Sequence, residues 1–363
     1  MAKDSASGMG FDWQRHGHVA LALAVGLAGS VLFLVLVLPL PWMLGSLAAC
    51  LLASIIGVPV KGPDRLIGPA RAVLGLAVGA AFTPALIAQL PEMAASLAFI
   101  PPFVLIIAAL GVPFFRYVCR MDRTTAFYSA MPGGFQDMIA MGRDAGASER
   151  QLTLAHSTRV LVIVFVLPFW IEWSEHVQIG ERATHMVHWT GYDPANLLTL
   201  LACAIFGWWA ALKIGLSGSP LVGPMIACAV ITISGLATLH MPVEVLNFAQ
   251  LALGTHAGCQ FAGVSWREFA GTVASAVGYT VILLALTAVF TWTIIHLTGL
   301  ETLPVLLAFS PGGQSEMNVI AIVLGADIAY VALHHLFRLA IVVLGAQVLF
   351  RILQRKLPPP SRD

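Results

Sequence analysis

The sequence predicts an all-α polytopic membrane protein made of two inverted-topology repeats. About ten transmembrane helices and two broken or re-entrant Pro-Gly-Gly hairpins are expected. Three observations predict it. Of 363 residues, 58% are hydrophobic and only 10% charged, whereas a soluble domain carries about 25% charged residues. Apolar stretches of roughly 20 residues recur from end to end, the length that crosses a bilayer as a helix. The chain also repeats itself. These features exclude a soluble enzyme, a disordered chain and a disulfide-rich secreted module. A net charge of +1 offers no bulk field for nucleic acid. Five cysteines stand singly, at Cys50, Cys119, Cys203, Cys228 and Cys259, with no Cys-x-x-Cys pair to hold zinc or exchange electrons.

Pro132-Gly133-Gly134 returns as Pro311-Gly312-Gly313. At the same offset Asp137 meets Glu316, Met138 meets Met317, His156 meets His335 and Arg159 meets Arg338. Gly75, Gly79 and Phe82 likewise meet Gly254, Gly258 and Phe261. One residue short of that offset, Gly45 matches Gly223 and Cys50 matches Cys228. A constant offset over such a stretch marks a duplication. The expected division is an N-terminal tail at 1–16, repeat one at 17–172, a polar linker at 173–195, repeat two at 196–353 and a C-terminal tail at 354–363.

The first apolar stretch, 18–40, is too long for a signal-peptide core and lacks a small-residue cleavage site, so it is expected to stay as a span. Segments at 42–58, 66–90 and 94–115 follow, then an interrupted one at 124–142 and a last at 151–171. The second half answers with 197–216, 220–238, 245–264, 271–297, an interrupted 303–325, and 330–352. Proline removes a helix donor and glycine is a poor helix former, so each interrupted segment should be two half-helices joined by a turn.

Basic residues choose between crossing and re-entrant hairpins. With re-entrant hairpins and a cytoplasmic N-terminus, every lysine and arginine is cytoplasmic except Arg182, outside, and Arg159 and Arg338, within spans. Crossing hairpins would move Arg143, Arg150, Lys213 and Arg267 outside. The positive-inside rule favours the first arrangement. Five crossings per half then invert the second half relative to the first. Both termini are cytoplasmic, and in a bacterium the membrane is the inner one.

The breaks point to a site. The half-helices after Gly134 and Gly313 would present free N–H groups at membrane depth, which attract anions. Irregular backbone is tolerated there only where protein buries it or a cavity meets it. The substrate-binding candidates are therefore Pro132, Gly133, Gly134, Gln136, Pro311, Gly312, Gly313, Gln314, Ser315 and Asn318. Asp137 and Glu316 follow each second glycine by three residues and could cap the half-helix, carry a coupling proton or sodium ion, or do both. Arg159 and Arg338, each three residues after His156 or His335, share a helical face with that histidine in an apolar span. The arginines could grip an anion bidentately or brace the fold by pairing with Asp137 or Glu316. The histidines join the acids as candidate coupling groups. His256 is expected to be a satisfied interior histidine. The GxxxG motifs at Gly75–Gly79 and Gly254–Gly258 suit close packing within the chain or across a homodimer seam.

With SPGGQSEMNVIAIVLGAD and VALHHLFRL in the second half, the chain resembles the bacterial AbrB membrane duplication family along nearly its full length. In the first half Gly146-Ala147-Ser148 stands where Gly325-Ala326-Asp327 stands in the second. Family members carry the names AbrB family regulator or ammonia monooxygenase. The resemblance implies a membrane-embedded regulator or sensor that acts indirectly on gene expression, since no basic cytosolic domain could read DNA. The monooxygenase name finds no metal cluster or nucleotide fingerprint here, and no enzyme activity or cofactor is expected. Repeat symmetry favours instead a secondary transporter for a small organic anion, coupled to protons or sodium.

Overall fold

The computed structural model describes residues 13–175, 188–189, 192–216 and 218–356, and all regular elements among them are helical. Helix α1 (Trp13–Val35) leads through a π-helical turn (Pro41–Gly45) into α2 (Ser46–Ile55). There follow α3 (Asp64–Ala80), α4 (Pro84–Leu97), α5 (Ile100–Pro113), α6 (Arg123–Ala130), α7 (Phe135–Asp144) and α8 (Glu149–Glu175). The second series is α9 (Pro194–Lys213), α10 (Ser219–Ile233), α11 (Val243–Cys259), α12 (Trp266–Thr298), α13 (Thr302–Phe309), α14 (Gln314–Leu324) and α15 (Ile328–Lys356).

Among the described residues, 6 helices are long and apolar enough to cross a membrane: His16–Val35, Met93–Val118, Glu149–Trp173, Pro194–Lys213, Val273–Thr298 and Ile328–Phe350. The other apolar stretches form shorter helices. The expected apolar segment 66–90 is divided: α3 stops at Ala80, and Pro84, which needs no partner for its missing N–H, opens α4. The next span therefore starts at Met93. Likewise 245–264 ends as a helix at Cys259, and most of the expected linker 173–195 lies outside the described residues.

Short polar side chains set several helix starts. Asp122 accepts the Thr124 and Thr125 N–H groups at 3.0 Å, and Asp193 accepts that of Ala195 at 3.0 Å. The Gly-Ala-Asp and Gly-Ala-Ser triplets prove to be one device. Gly325, at φ 65, ends α14 in the left-handed region that glycine tolerates, and Asp327 Oδ1 accepts the Tyr330 N–H at 2.9 Å to open α15. Gly146, at φ 85, follows α7, and Ser148 Oγ accepts the Gln151 N–H at 3.4 Å. Serine replaces aspartate as the cap, so the helix-starting role of Asp327 does have a first-half counterpart.

The helices pack as two groups. In one, α3 lies along α10 and α11 along α2, with α1 and α9 outside them. In the other, α5, α6, α7 and α8 pack with α12, α13, α14 and α15. The GxxxG glycines hold the first group together across the two halves of the chain. A Cβ at Gly79 would lie 2.5 Å from the Met225 carbonyl oxygen, and one at Gly258 would lie 2.6 Å from that of Leu47. These motifs bring helices of one chain into backbone contact. Outward faces are apolar: Leu198, Leu201, Ile205, Trp209 and Leu212 form an exposed stripe on α9, as a lipid-facing helix requires.

Outside the bundle, Glu244 clasps the chain that leads into α9. Its carboxylate accepts the Trp189 N–H at 3.0 Å and meets His188 Nδ1 at 3.0 Å. The His188 hydrogen bond holds the Glu244 carboxyl below the usual glutamate range.

Two predictions follow from packing and clasp. Gly79→Val should destabilise the protein by about 1–3 kcal/mol through overpacking, read as a lowered thermal midpoint in nanodiscs. Gly271→Val, with nothing within 4 Å of its Cβ position, should leave the midpoint unchanged. Because folding depresses the Glu244 pKa, the clasp is complete above the ordinary glutamate value of about 4.3 and is lost as pH falls through the depressed one. Amide exchange at Trp189, corrected for intrinsic pH dependence, should therefore be slower in wild type than in Glu244→Gln at neutral pH. The two should converge in acid.

Candidate functional site

Helices α6, α7, α13 and α14 have 8, 10, 8 and 11 residues. At about 1.5 Å per residue, each reaches roughly half-way across a 30 Å hydrocarbon core. Between them the backbone is extended: Met131 and Gly134 have ψ near 131 and 137, Ser310 and Gly313 near 132 and 147. None of the glycines here has a positive φ. They are required for close approach instead. Met138 Cε would lie 2.7 Å from a Cβ at Gly133, and Met317 Cε 2.6 Å from one at Gly312. The carboxylates of Asp137 and Glu316 fold back against Gly134 and Gly313 in the same way.

The break frees carbonyl groups, and α8 and α15 supply their donors. His156 Nε2 lies 3.0 Å from the Tyr128 carbonyl, and Arg159 Nη1 donates to that of Met131 at 3.3 Å. In the second half His335 Nε2 meets the Leu307 carbonyl at 3.0 Å. Arg338 Nη1 donates to Ser310 O at 2.8 Å and Nη2 to Gly312 O at 3.3 Å. Arg338 Nη2 also donates to His335 Nδ1 at 2.7 Å. Since an arginine can only donate, Nδ1 is the acceptor and the imidazole proton sits on Nε2, facing Leu307. Both ring nitrogens of His335 are thus engaged. The bracing expected of the arginines is done through backbone carbonyls, while Glu316 Oε2 accepts from its neighbour Ser315 Oγ at 3.3 Å.

These groups surround one cavity of about 170 Å³ between the two helix groups. Of the expected residues, Pro132, Gly133, Gly134, Asp137, His156, Arg159, Gly312, Gly313, Gln314, Ser315, Glu316, His335 and Arg338 line it. Pro311 is buried behind the break. Asn318 is fully buried, and neither of its side-chain polar atoms has a partner. Gln136 lies in α7, with its side chain outside the described residues. The amide nitrogen of Gln314 is buried at the wall without a partner. Leu47, Ile67, Leu221, Leu253 and Ala257 form an apolar wall from the other group.

Four polar lining residues carry no such expectation: Arg71, Ser157, His256 and Gln260. Arg71 looks in the sequence like one more cytoplasmic charge. The only local sign of the pair is the spacing of His256 and Gln260, one helical turn apart. The cavity thus gathers three arginines and two carboxylates among otherwise apolar helices.

Comparison with known proteins agrees along the chain. Residues 42–354 match the family model described as "Transition state regulatory protein AbrB". An Escherichia coli (strain K12) protein named "Putative regulator AbrB" is 27% identical over 348 residues, covering 94% of this chain and 97% of its own. A Bacillus subtilis (strain 168) protein, "Uncharacterized protein YhjN", is 25% identical over 360 residues, covering 91% and 92%. The chain belongs to the AbrB membrane family.

Proposed function

We propose that the protein is a secondary transporter for a small organic anion, bound in the cavity between the two Pro-Gly-Gly breaks. The observation that carries this reading is the convergence there of both breaks with Arg71, Arg159 and Arg338. Two half-helix N-termini and three guanidinium groups favour an anion. Asp137 and Glu316 oppose it until a proton or sodium ion neutralises them, so a coupled mechanism fits better than a passive one. Glu316 is the preferred coupling group, because its half keeps the family pattern better.

The two series of helices support a duplication, and the distribution of basic residues supports its inversion. Helices begin at matching positions in each half, at Asp64 and Val243, Arg123 and Thr302, Phe135 and Gln314, Glu149 and Ile328. The histidine and arginine bonds recur at the same offset. On this reading the hairpins are re-entrant, both termini are cytoplasmic and the Glu244 clasp is external. The regulatory names of the family and of its relative are then met indirectly, through the level of the transported compound.

Purified protein should be screened by thermal shift against organic acids, amines and neutral amino acids, and the stabilising compounds tested for uptake into proteoliposomes. Stabilisation by acids is expected; stabilisation by amines alone would mean the charge of the site has been read with the wrong sign. Arg338→Lys should weaken acid binding at least tenfold although the charge remains, because lysine cannot span the Ser310 and Gly312 carbonyls that fix the break and the charge beside it. Glu316→Gln should keep binding and lose the dependence of uptake on a cation gradient. Wild-type coupling in that variant would reject Glu316 as the coupling group.

A further inference from the structure

His256 connects the cavity to the protein surface. It lines the cavity beside Gln260, and its Nδ1 lies 3.2 Å from Oδ1 of Asp64. The His256 side chain is 24% exposed and that of Asp64 56% exposed, so the pair bridges interior and solvent. Gln260 Nε2 lies 2.8 Å from His256 Nε2. The Asp64 carboxylate lies at ion-pair distance from Nδ1 without the alignment of a hydrogen bond, so a small turn of the ring is needed for Nδ1 to donate to it. Its charge favours the proton on Nδ1, which leaves Nε2 as the acceptor of the Gln260 amide N–H. Gly62 makes room for this arrangement: a Cβ there would sit 3.0 Å from His256 Nδ1. The chain is one-sided here. The positions matching Asp64, His256 and Gln260 in the other repeat are Val243, Ala77 and Ala81, which cannot carry a proton.

We propose that Asp64, His256 and Gln260 form a proton relay between the cavity and the face of the protein that carries Lys61, Asp64 and Arg65. A proton taken from the cavity at Nε2 makes an imidazolium; the Nδ1 proton then leaves to the Asp64 carboxylate and on to water. Tautomer exchange or a ring turn restores the resting state, and the reverse sequence brings a proton in. While Nε2 carries a proton it must donate, so Gln260 turns its amide oxygen toward it. Each passage is therefore signalled in the cavity wall by Gln260.

The charges around His256 suit this role. Asp64 of α3 stands beside the imidazole, and Arg71 of the same helix lines the same cavity. From α2 the titratable neighbour is the Cys50 thiol, and Cys259 lies on α11 itself. Helix α1 meets α11 at Gly26 and Thr255, both uncharged. Across the cavity stand Asp137, Arg159, Glu316 and Arg338. The relay rests on the transport reading only for the fate of its proton.

The test uses the full chain in lipid nanodiscs with nitrogen-15 histidine and glutamine, His256 being assigned by its loss in His256→Gln and Gln260 by its loss in Gln260→Met. The His256 ring nitrogens should titrate, the Gln260 amide signals should follow with the same midpoint, and Asp64→Asn should displace both. Histidine signals that stay constant, or a Gln260 amide that ignores them, would overturn the relay. In proteoliposomes carrying a stabilising organic acid, His256→Gln should cut the accompanying proton flux at least tenfold. Undiminished flux would also overturn the relay while leaving transport intact. Coupled signals without uptake of any acid would support the relay and reject transport.

Discussion

A helix broken inside a bilayer needs partners for the backbone groups that the break sets free. Water is absent there, and each unmatched buried group costs about 1–3 kcal/mol or more. Met131, Ser310 and Gly312 expose such carbonyls, and Arg159 and Arg338 answer them. His156 and His335 do the same one turn earlier, at Tyr128 and Leu307. The rest of the site depends on this clamp. It fixes the half-helices, which aim their N-termini at one point, and it places two guanidinium groups beside them. The arginines hold the scaffold first. Only the donors left over can serve a ligand.

What repeats and what differs therefore separate cleanly. The proline, the two glycines, the methionine that fills the first glycine, the histidine and the arginine recur because every broken helix needs them. The polar lining is uneven. Arg338 makes three hydrogen bonds, but only the Met131 carbonyl is seen to receive one from Arg159, whose Nε is buried without a partner. Asn318 corresponds to Ile139, and His256 to Ala77. An uneven lining suits a cargo that has different ends, or a coupling ion with its own route.

The sequence made the hairpins legible to within a residue, because a proline followed at once by two glycines leaves no good helix former at the break. The expected half-helices after Gly134 and Gly313 begin at Phe135 and Gln314. The break before Pro84 was hidden. Apolar residues flank it on both sides, so hydropathy does not fall where the helix stops. The purpose of the glycines was hidden too. Their backbone is ordinary, and only the approach of Met138, Met317 and the two carboxylates shows why no side chain fits. Arg71, His256 and Gln260 could not be read as cavity residues. Their partners across the space come from helices distant in sequence, and no local pattern records that meeting.

The same division bears on how a cavity of about 170 Å³ could serve both sides of a membrane under the transport reading. That space suits a few waters, at about 30 Å³ each, or a small acid. The arginine and histidine bonds of both clamps lie within the group containing α6–α8 and α13–α15. The close glycine contacts of α3 with α10 and of α11 with α2 lie within the other. Leu47, Ile67, Leu221, Leu253 and Ala257 face the breaks across the cavity, and these apolar side chains lose no hydrogen bond when they slide. A shift between groups would carry the clamped breaks along whole and keep the carbonyls satisfied throughout. Moving a single half-helix would instead strip Ser310 or Met131 of its donor. Whole-group displacement is thus the cheaper motion, and it leaves His256 and Asp64 on the stationary side as a fixed outlet.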